Sequence, residues 1–308
     1  MRDAFGRALP DLAEPVGGLV VLDADVASST KTLEFGKRYP ERFFNIGVAE
    51  ANMADIAAGM AACGLRPVIS TFAIFIALKC TEQIRSTICY NRLPVVLAGG
   101  YAGVSDSFDG ASHQSLTDLS VLRAMPNLTV TVPGDAVEAG QCLEQALKQP
   151  GPVYIRLSRN PTPVLFADAA PMEIGKIRTI RSGGDLTMAV CGVPTYMAIE
   201  AAAELEKAGI STDLLEVSTL KPMDAETLIA SASKTGRVLT IEEHTIYGGL
   251  GSAVSEVLAG ACPVRMDFIG IRDTFTETGP YVELLAAYGI CTENIVRKAR
   301  QLLDMKKG

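Results

Sequence analysis

The residue best placed to do chemistry is Glu50, a carboxylate that interrupts the apolar run Asn45-Ile46-Gly47-Val48-Ala49-Glu50-Ala51-Asn52-Met53. Ala54, Ala57, Ala58, Gly59, Ala61 and Ala62 follow at helical spacing. Such small residues let a helix pack backbone-close against a neighbour and carry its first turn deep into the protein. A carboxylate there is poorly hydrated, is expected to have a raised pKa, and so becomes a candidate acid or base. The plainer alternative is a first-turn Glu favoured by the helix dipole. Phe72 and Phe75 are three apart and share one face at a helix start. They form either a flat wall for a planar ligand or ordinary core. Asp109 and His113 stand in Asp109-Gly110-Ala111-Ser112-His113-Gln114. His113 is one of only two histidines, and taken alone it reads as readily as a satisfied structural residue.

These side chains must be positioned by alternating strands and helices. Residues 2–13 read as a helix with Phe5, Leu9 and Leu12 on one face, and 18–22 as a buried strand of the parallel type. That strand ends at Asp25 and Ser29, where ligands gather in open α/β sheets, although capping by Ser28 or Ser29 explains them equally. The pattern predicts helices over 49–63, 72–91 and 135–148, with strands over 66–70, 93–97, 128–132 and 153–157. Between 99 and 115 runs a loop without periodicity, of the kind that carries function. Residues 160–184 are punctuated by Pro161, Pro163, Pro171, Gly175, Gly183 and Gly184. Alternation then restarts, with strands expected at 186–191, 212–217, 237–242 and 264–269 and helices at 195–207, 224–233, 250–259 and 292–304. The reading is α/β, with two domains at 1–165 and 185–308 joined by a linker at 166–184, the first built on a mostly parallel sheet.

Composition narrows the function classes. The chain has 308 residues, 48% apolar and only 20% charged, which suggests large surfaces buried against partners. A net charge of −7 argues against nucleic acid. No apolar signal core follows Met1, and no run approaches the ~18 apolar residues of a membrane span. Cys63, Cys80, Cys89, Cys142 and Cys191 lie in apolar contexts, without metal spacing, and read as buried thiols in a reducing cytoplasm.

Three turns taken together are more specific than any one of them. Ile46-Gly47-Val48-Ala49-Glu50, Ser70-Thr71-Phe72-Ala73-Ile74-Phe75 and Asp109-Gly110-Ala111-Ser112-His113-Gln114 resemble the pyrimidine-binding domain of transketolases, which use thiamine diphosphate. The resemblance continues through Gly192-Val193-Pro194-Thr195-Tyr196-Met197-Ala198-Ile199-Glu200 and Glu242-Glu243-His244 to Tyr247-Gly248-Gly249-Leu250-Gly251-Ser252, so the second domain is similar to the smaller transketolase C-terminal domain. It implies that Glu50 is the carboxyl that shares a proton with the cofactor pyrimidine, and that Phe72 and Phe75 wall that ring. It implies that Asp25 lies near the cofactor, and that Ser29 and Asp109 meet substrate. His113 is implied to contact the pyrimidine side or the bound substrate, and Arg159 to hold the anionic end of a sugar, for which a planar guanidinium is suited. A further aromatic of the family is here Leu78. Twelve residues before His113 many transketolases have a histidine that binds substrate phosphate; this chain has Tyr101. A phenol carries no positive charge, so the resemblance implies either a sulfonated or branched sugar or an anion held by other groups. His244 reads as structural. Gly249-x-Gly251 lacks the last glycine of a dinucleotide fingerprint and reads as a close strand-to-helix turn.

The family's Gly-Asp-Gly metal motif is missing; Gly134-Asp135-Ala136 and Gly184-Asp185-Leu186 each lack the closing glycine. Mg²⁺ or Ca²⁺, both oxygen-ligated, is thus expected to take its ligands from a second polypeptide. The resemblance then implies the C-terminal half of a split transketolase, inactive alone and assembled with an N-terminal subunit as an α2β2 heterotetramer. Within the same cofactor class, 1-deoxyxylulose-5-phosphate synthase and the beta subunit of 2-oxo-acid dehydrogenases share this layout. A nucleotide-binding oxidoreductase or a non-catalytic scaffold subunit are readings from other classes.

Overall fold

Runs rich in Val, Ile and Leu form the strands, and their burial on both faces follows from helices that cover the sheets. A computed structural model describes residues 1–304. In the first unit β1 (Leu19–Asp23), β2 (Phe43–Asn45), β3 (Arg66–Phe72), β4 (Val96–Gly100), β5 (Thr129–Thr131) and β6 (Val153–Arg156) lie in the order β5-β6-β4-β3-β1-β2, all parallel. In the second unit come β7 (Arg178–Arg181), β8 (Leu186–Val190), β9 (Thr212–Glu216), β10 (Thr219–Lys221), β11 (Arg237–Thr245) and β12 (Arg265–Ile271). Here the sheet order is β12-β11-β8-β9-β7, parallel except for the β7–β9 pair.

One strand crosses over. β10 leaves the second unit and pairs antiparallel with β5 at the edge of the first sheet. A single hydrophobic cluster likewise runs from Leu22, Ala57 and Ile69 through Leu119 and Val130 to Ala189, Val238 and Leu250. The two units therefore share core as well as chain.

Register decides where chemistry collects. Asp23 lies opposite both Asn45 and Ser70, and Phe72 opposite Gly100, so β1, β2, β3 and β4 end side by side. The segments that leave these carboxyl ends carry Asp25, Glu50, Phe72 and Tyr101, and the segment after β6 carries Arg159. Ala54, Ala57, Ala58 and Ala61 are buried along the helix Glu50–Ala62, which sits close enough to bury its first residue.

Several expectations are corrected. Residues 72–91 are not one helix: an α-helix Ala73–Lys79 gives way to a π-helical Gln83–Cys89. Near the break the Thr81 hydroxyl bonds the Ala77 carbonyl and competes with the ladder. The strand expected at 93–97 runs Val96–Gly100 instead. Cys63 is exposed, because the helix has ended and the chain turns at Gly64 with φ +90°. Neither Ser28 nor Ser29 caps the short helix Ala27–Thr30; the buried Asp23 carboxylate accepts from the Val26 N–H instead. No helix among the described residues is long and apolar enough to cross a membrane.

Candidate functional site

Glu50 is the first residue of its helix and only 5% exposed. Its Oε1 is 2.7 Å from the Lys79 ammonium, at the end of the helix that begins after Phe72. The same ammonium stands 4.0 Å from the centroid of the Phe75 ring. Phe72 and Phe75 are stacked at 5.7 Å with 25° between planes, and Tyr101 stacks on Phe72 at 4.3 Å. The His113 imidazole meets Phe75 edge-on at 5.3 Å and Phe72 at 6.0 Å. Its Nδ1 is 2.9 Å from the Ser112 hydroxyl. Glu50, Phe72, Phe75, Tyr101 and His113 thus gather in one cluster linked through Lys79 and the stacked rings, although they are spread over 64 positions of sequence.

The polar side of this cluster carries charges of both signs. Two guanidiniums approach the Tyr101 ring, Arg2 at 5.2 Å and Arg159 at 5.1 Å from its centroid. Arg2 donates to the Tyr101 hydroxyl and to the Ser29 carbonyl at 2.9 Å, while its buried Nε has no partner. Arg159 pairs with Asp106 at 3.1 Å. Burial and the neighbouring Asp109 carboxylate push Asp106 up to about 6, against the pull of Arg159 and His113. Asp106 therefore has the exposed Asp109, Arg159 and His113 as neighbours. Asp25, at φ +65°, is tied to Asn45 by Asn45 Nδ2 to Asp25 Oδ1 at 2.9 Å and by its own N–H to Asn45 Oδ1 at 3.1 Å. Asn45 Oδ1 also takes the Gly47 N–H at 3.0 Å, which links this corner to the turn before Glu50.

Reading the sequence missed Arg2, Asn45, Lys79 and Asp106. Arg2 lies at the far end of the chain from its neighbours and has no motif around it. Asp106 had a signal, since it belongs to the aperiodic loop with Asp109. The positive charge that Tyr101 cannot supply itself is present twice beside it, in Arg2 and Arg159.

Outside this cluster, Glu242-Glu243-His244 is buried between the units. His244 Nε2 is 3.9 Å from Asp118, which itself holds Arg156 at 2.8 Å. Burial pulls the imidazole down to about 4, a neutral side chain at physiological pH. Glu242 accepts the Leu250 and Gly251 N–H groups at 2.7 and 2.8 Å. A protein carboxylate therefore already fills the anion position at that helix start, and a side chain on Gly249 would collide with it. The close-turn reading of Gly249-x-Gly251 agrees with this.

The chain matches the transketolase pyrimidine-binding domain over residues 1–164 and the transketolase C-terminal domain over 175–295. It is 39% identical over 310 aligned residues to a Methanocaldococcus jannaschii protein described as a transketolase C-terminal section, covering 100% of this chain and 96% of that one. A 6-deoxy-6-sulfo-D-fructose transketolase subunit from Clostridium sp. (strain MSTE9) is 36% identical, with 99% and 95% covered. Among solved structures, a split-gene transketolase described as an inactive beta4 tetramer superposes with TM-score 0.92 at 42% identity, covering 99% of each chain.

Proposed function

The chain belongs to the transketolase family, and from that premise we propose that it is the pyrimidine-side half of a two-chain transketolase that moves a two-carbon ketol unit from a ketose to an aldose. Family membership implies dependence on thiamine diphosphate. The donor set of the Glu50 cluster fits that cofactor. Lys79 already bridges the Glu50 carboxylate and the Phe75 face with a single cation, the two contacts that a protonated pyrimidine would need. When bound, thiamine diphosphate supplies a thiazolium carbon able to act as a nucleophile.

Each side chain then has a task. Glu50 holds a proton at the pyrimidine N1′, Phe72 and Phe75 stack on the ring, and Asp25 steadies the neighbouring turn. His113 exchanges a proton with a substrate oxygen, while Asp109 and Ser29 meet substrate hydroxyls. Tyr101 and Arg159, joined by Arg2, hold the anionic end of the sugar. The donor class is a ketose ending in an anion, and the likeness to a sulfofructose transketolase subunit supports sulfonate; a branched sugar is the second class to test. Mg²⁺ or Ca²⁺ takes its ligands from the N-terminal partner, in an α2β2 heterotetramer. Val48, 73% exposed, and Leu78, 55% exposed, lie close in sequence to Glu50 and Lys79 and present apolar surface to that partner.

The observation that carries this reading is a buried carboxylate at the rim of a stacked Phe pair. Its test is reconstitution of this chain with its N-terminal partner. The isolated chain is expected to be inactive and the complex to turn over anionic ketoses. Glu50→Gln should lower kcat by roughly 10²–10⁴-fold, the range for general acid–base groups, with assembly intact. Full activity of the isolated chain, or of the Gln variant, would refute the proposal. Pyruvate decarboxylation by the complex would move the reading to the 2-oxo-acid or deoxyxylulose class.

A further inference from the structure

The loop that presents Asp106, Asp109 and His113 is held from both domains: in the first, Arg159 and Asn160 bond Ser105 and Asp106, and the second holds it along its length. It is closed at its neck by two backbone bonds, Gly103 N–H to Ser115 O at 3.0 Å and Ser115 N–H to Gly103 O at 2.9 Å. Between those residues it forms no regular element. The second unit grips it at four separated places. Glu243 Oε1 accepts the Val104 N–H at 2.8 Å. The Gly279 N–H bonds Ser107 O at 3.0 Å. Gln114 donates to Glu277 O at 3.0 Å and accepts from the Thr276 hydroxyl. The Thr245 N–H bonds Leu116 O at 3.0 Å.

Glu243 is the centre of this grip. Its other oxygen accepts from the Tyr281 hydroxyl at 2.8 Å, and its backbone carbonyl takes Arg156 Nη2 at 3.0 Å. The same guanidinium nitrogen bonds the Ser115 carbonyl at 3.0 Å, so one Arg ties the loop neck to the strand that carries Glu243. Gly103 sits at φ +66°, and any side chain there would run into the Glu243 carboxylate. The loop is thus shaped round this carboxylate. Glu243 is 2% exposed.

We propose that Glu243 is a positioning residue for the reaction: from the C-terminal domain it fixes the 103–116 loop, so that Asp109 and His113 face the substrate. Thr276 and Gln114 form a second clasp on the same loop. The inference rests on the proposed ketol transfer, and gives the second domain a part in it. A buried N–H left without its acceptor is costly, and small displacements of catalytic groups are costlier still.

The test uses the reconstituted complex. Glu243→Ala is expected to lower kcat/KM by about tenfold to hundredfold, the scale of one opened buried hydrogen bond, with the affinity for thiamine diphosphate unchanged. Glu243→Gln keeps an acceptor for Val104 and should recover most of the loss, which a non-specific folding defect would not do. Thr276→Val is isosteric and guards against misfolding; it should raise KM with little change in melting temperature. Wild-type KM and kcat in both Glu243→Ala and Thr276→Val would overturn the inference. Hydrogen exchange on the isolated chain separates it from the functional proposal. Faster exchange at 103–116 in Glu243→Ala supports the grip even where no ketol transfer is found, and unchanged exchange there overturns it.

Discussion

Tyr101 illustrates how one position is understood only with its neighbours. Read as a sequence letter it removes a charge from the anion site of a transketolase. In the structure two guanidiniums stand close to its ring, Arg2 as well as the Arg159 that the resemblance implied. Arg159 is partly neutralised by Asp106, whereas Arg2 keeps a buried Nε without an acceptor. An anionic sugar terminus would satisfy both. Arg2→Ala and Arg159→Ala should each raise KM for a phosphate- or sulfonate-ended ketose by roughly tenfold to hundredfold, the value of a charge-assisted hydrogen bond, and leave kcat nearly unchanged. Arg159→Lys should recover only part, since an ammonium lacks the planar fork. Steady-state kinetics against a neutral ketose of equal length is the control, and its KM should not move. An unchanged KM for the anionic ketose in both variants would place the anion elsewhere.

At the level of elements, the joint between β6 and β7 depends on Asp135. Its carboxylate caps the helix Ala136–Ala146 through the Glu138 N–H at 2.9 Å. The other oxygen accepts the N–H groups of Leu165 at 2.7 Å and Phe166 at 3.0 Å. Asp135→Ala therefore opens three bonds in a buried place and should cost about 2–3 kcal/mol, a lost cap plus unsatisfied donors. Calorimetry should show the lowered melting temperature, and limited proteolysis should cut first near 160–170. The start of this helix, expected at residue 135, was legible, because capping is local chemistry. So were β8, β9, β11 and β12 and the helices Thr195–Lys207 and Thr292–Asp304, whose periods are long and uninterrupted. β2, β7 and β10 were not, being three or four residues long and defined by what they pair with. The π-helical turn after Lys79 also leaves no trace in periodicity, since apolar residues continue through it. In the candidate site, Glu50, Phe72, Phe75 and His113 stood in recognisable turns, while Arg2 and Lys79 joined them only through folding.

Across the whole molecule the two units meet at a pair of buried acids. Glu138 reaches from the first unit and Glu216 from the end of β9, and neither has any exposed surface. Arg178 lies between them, 3.0 Å from Glu138 and 3.8 Å from Glu216, and stacks on Phe166 at 4.5 Å. Asp135 adds a further negative charge nearby. Burial, then the Glu138 carboxylate, raise Glu216 well above its ordinary 4.5. Burial also raises Glu138, opposed by the Gly134 N–H and Arg178. One cation cannot balance two carboxylates here, so the folded joint retains a proton that the unfolded chain gives up above about 4.5. The sign follows from proton counting: the folded state binds more protons, so stability is full below the ordinary value and falls as pH rises toward the raised one. Glu216→Gln keeps the shape of the protonated acid, donates to Glu138 and cannot ionise. Its melting temperature should equal the wild-type value at pH 5 and exceed it increasingly toward pH 9. The slope for one retained proton is about 1.4 kcal/mol per pH unit within that window. Calorimetry at pH 5, 7 and 9 measures it. A variant less stable than wild type at all three would mean that Glu216 is ionised and its pairing with Arg178 holds the units together, the reverse of the arrangement argued here.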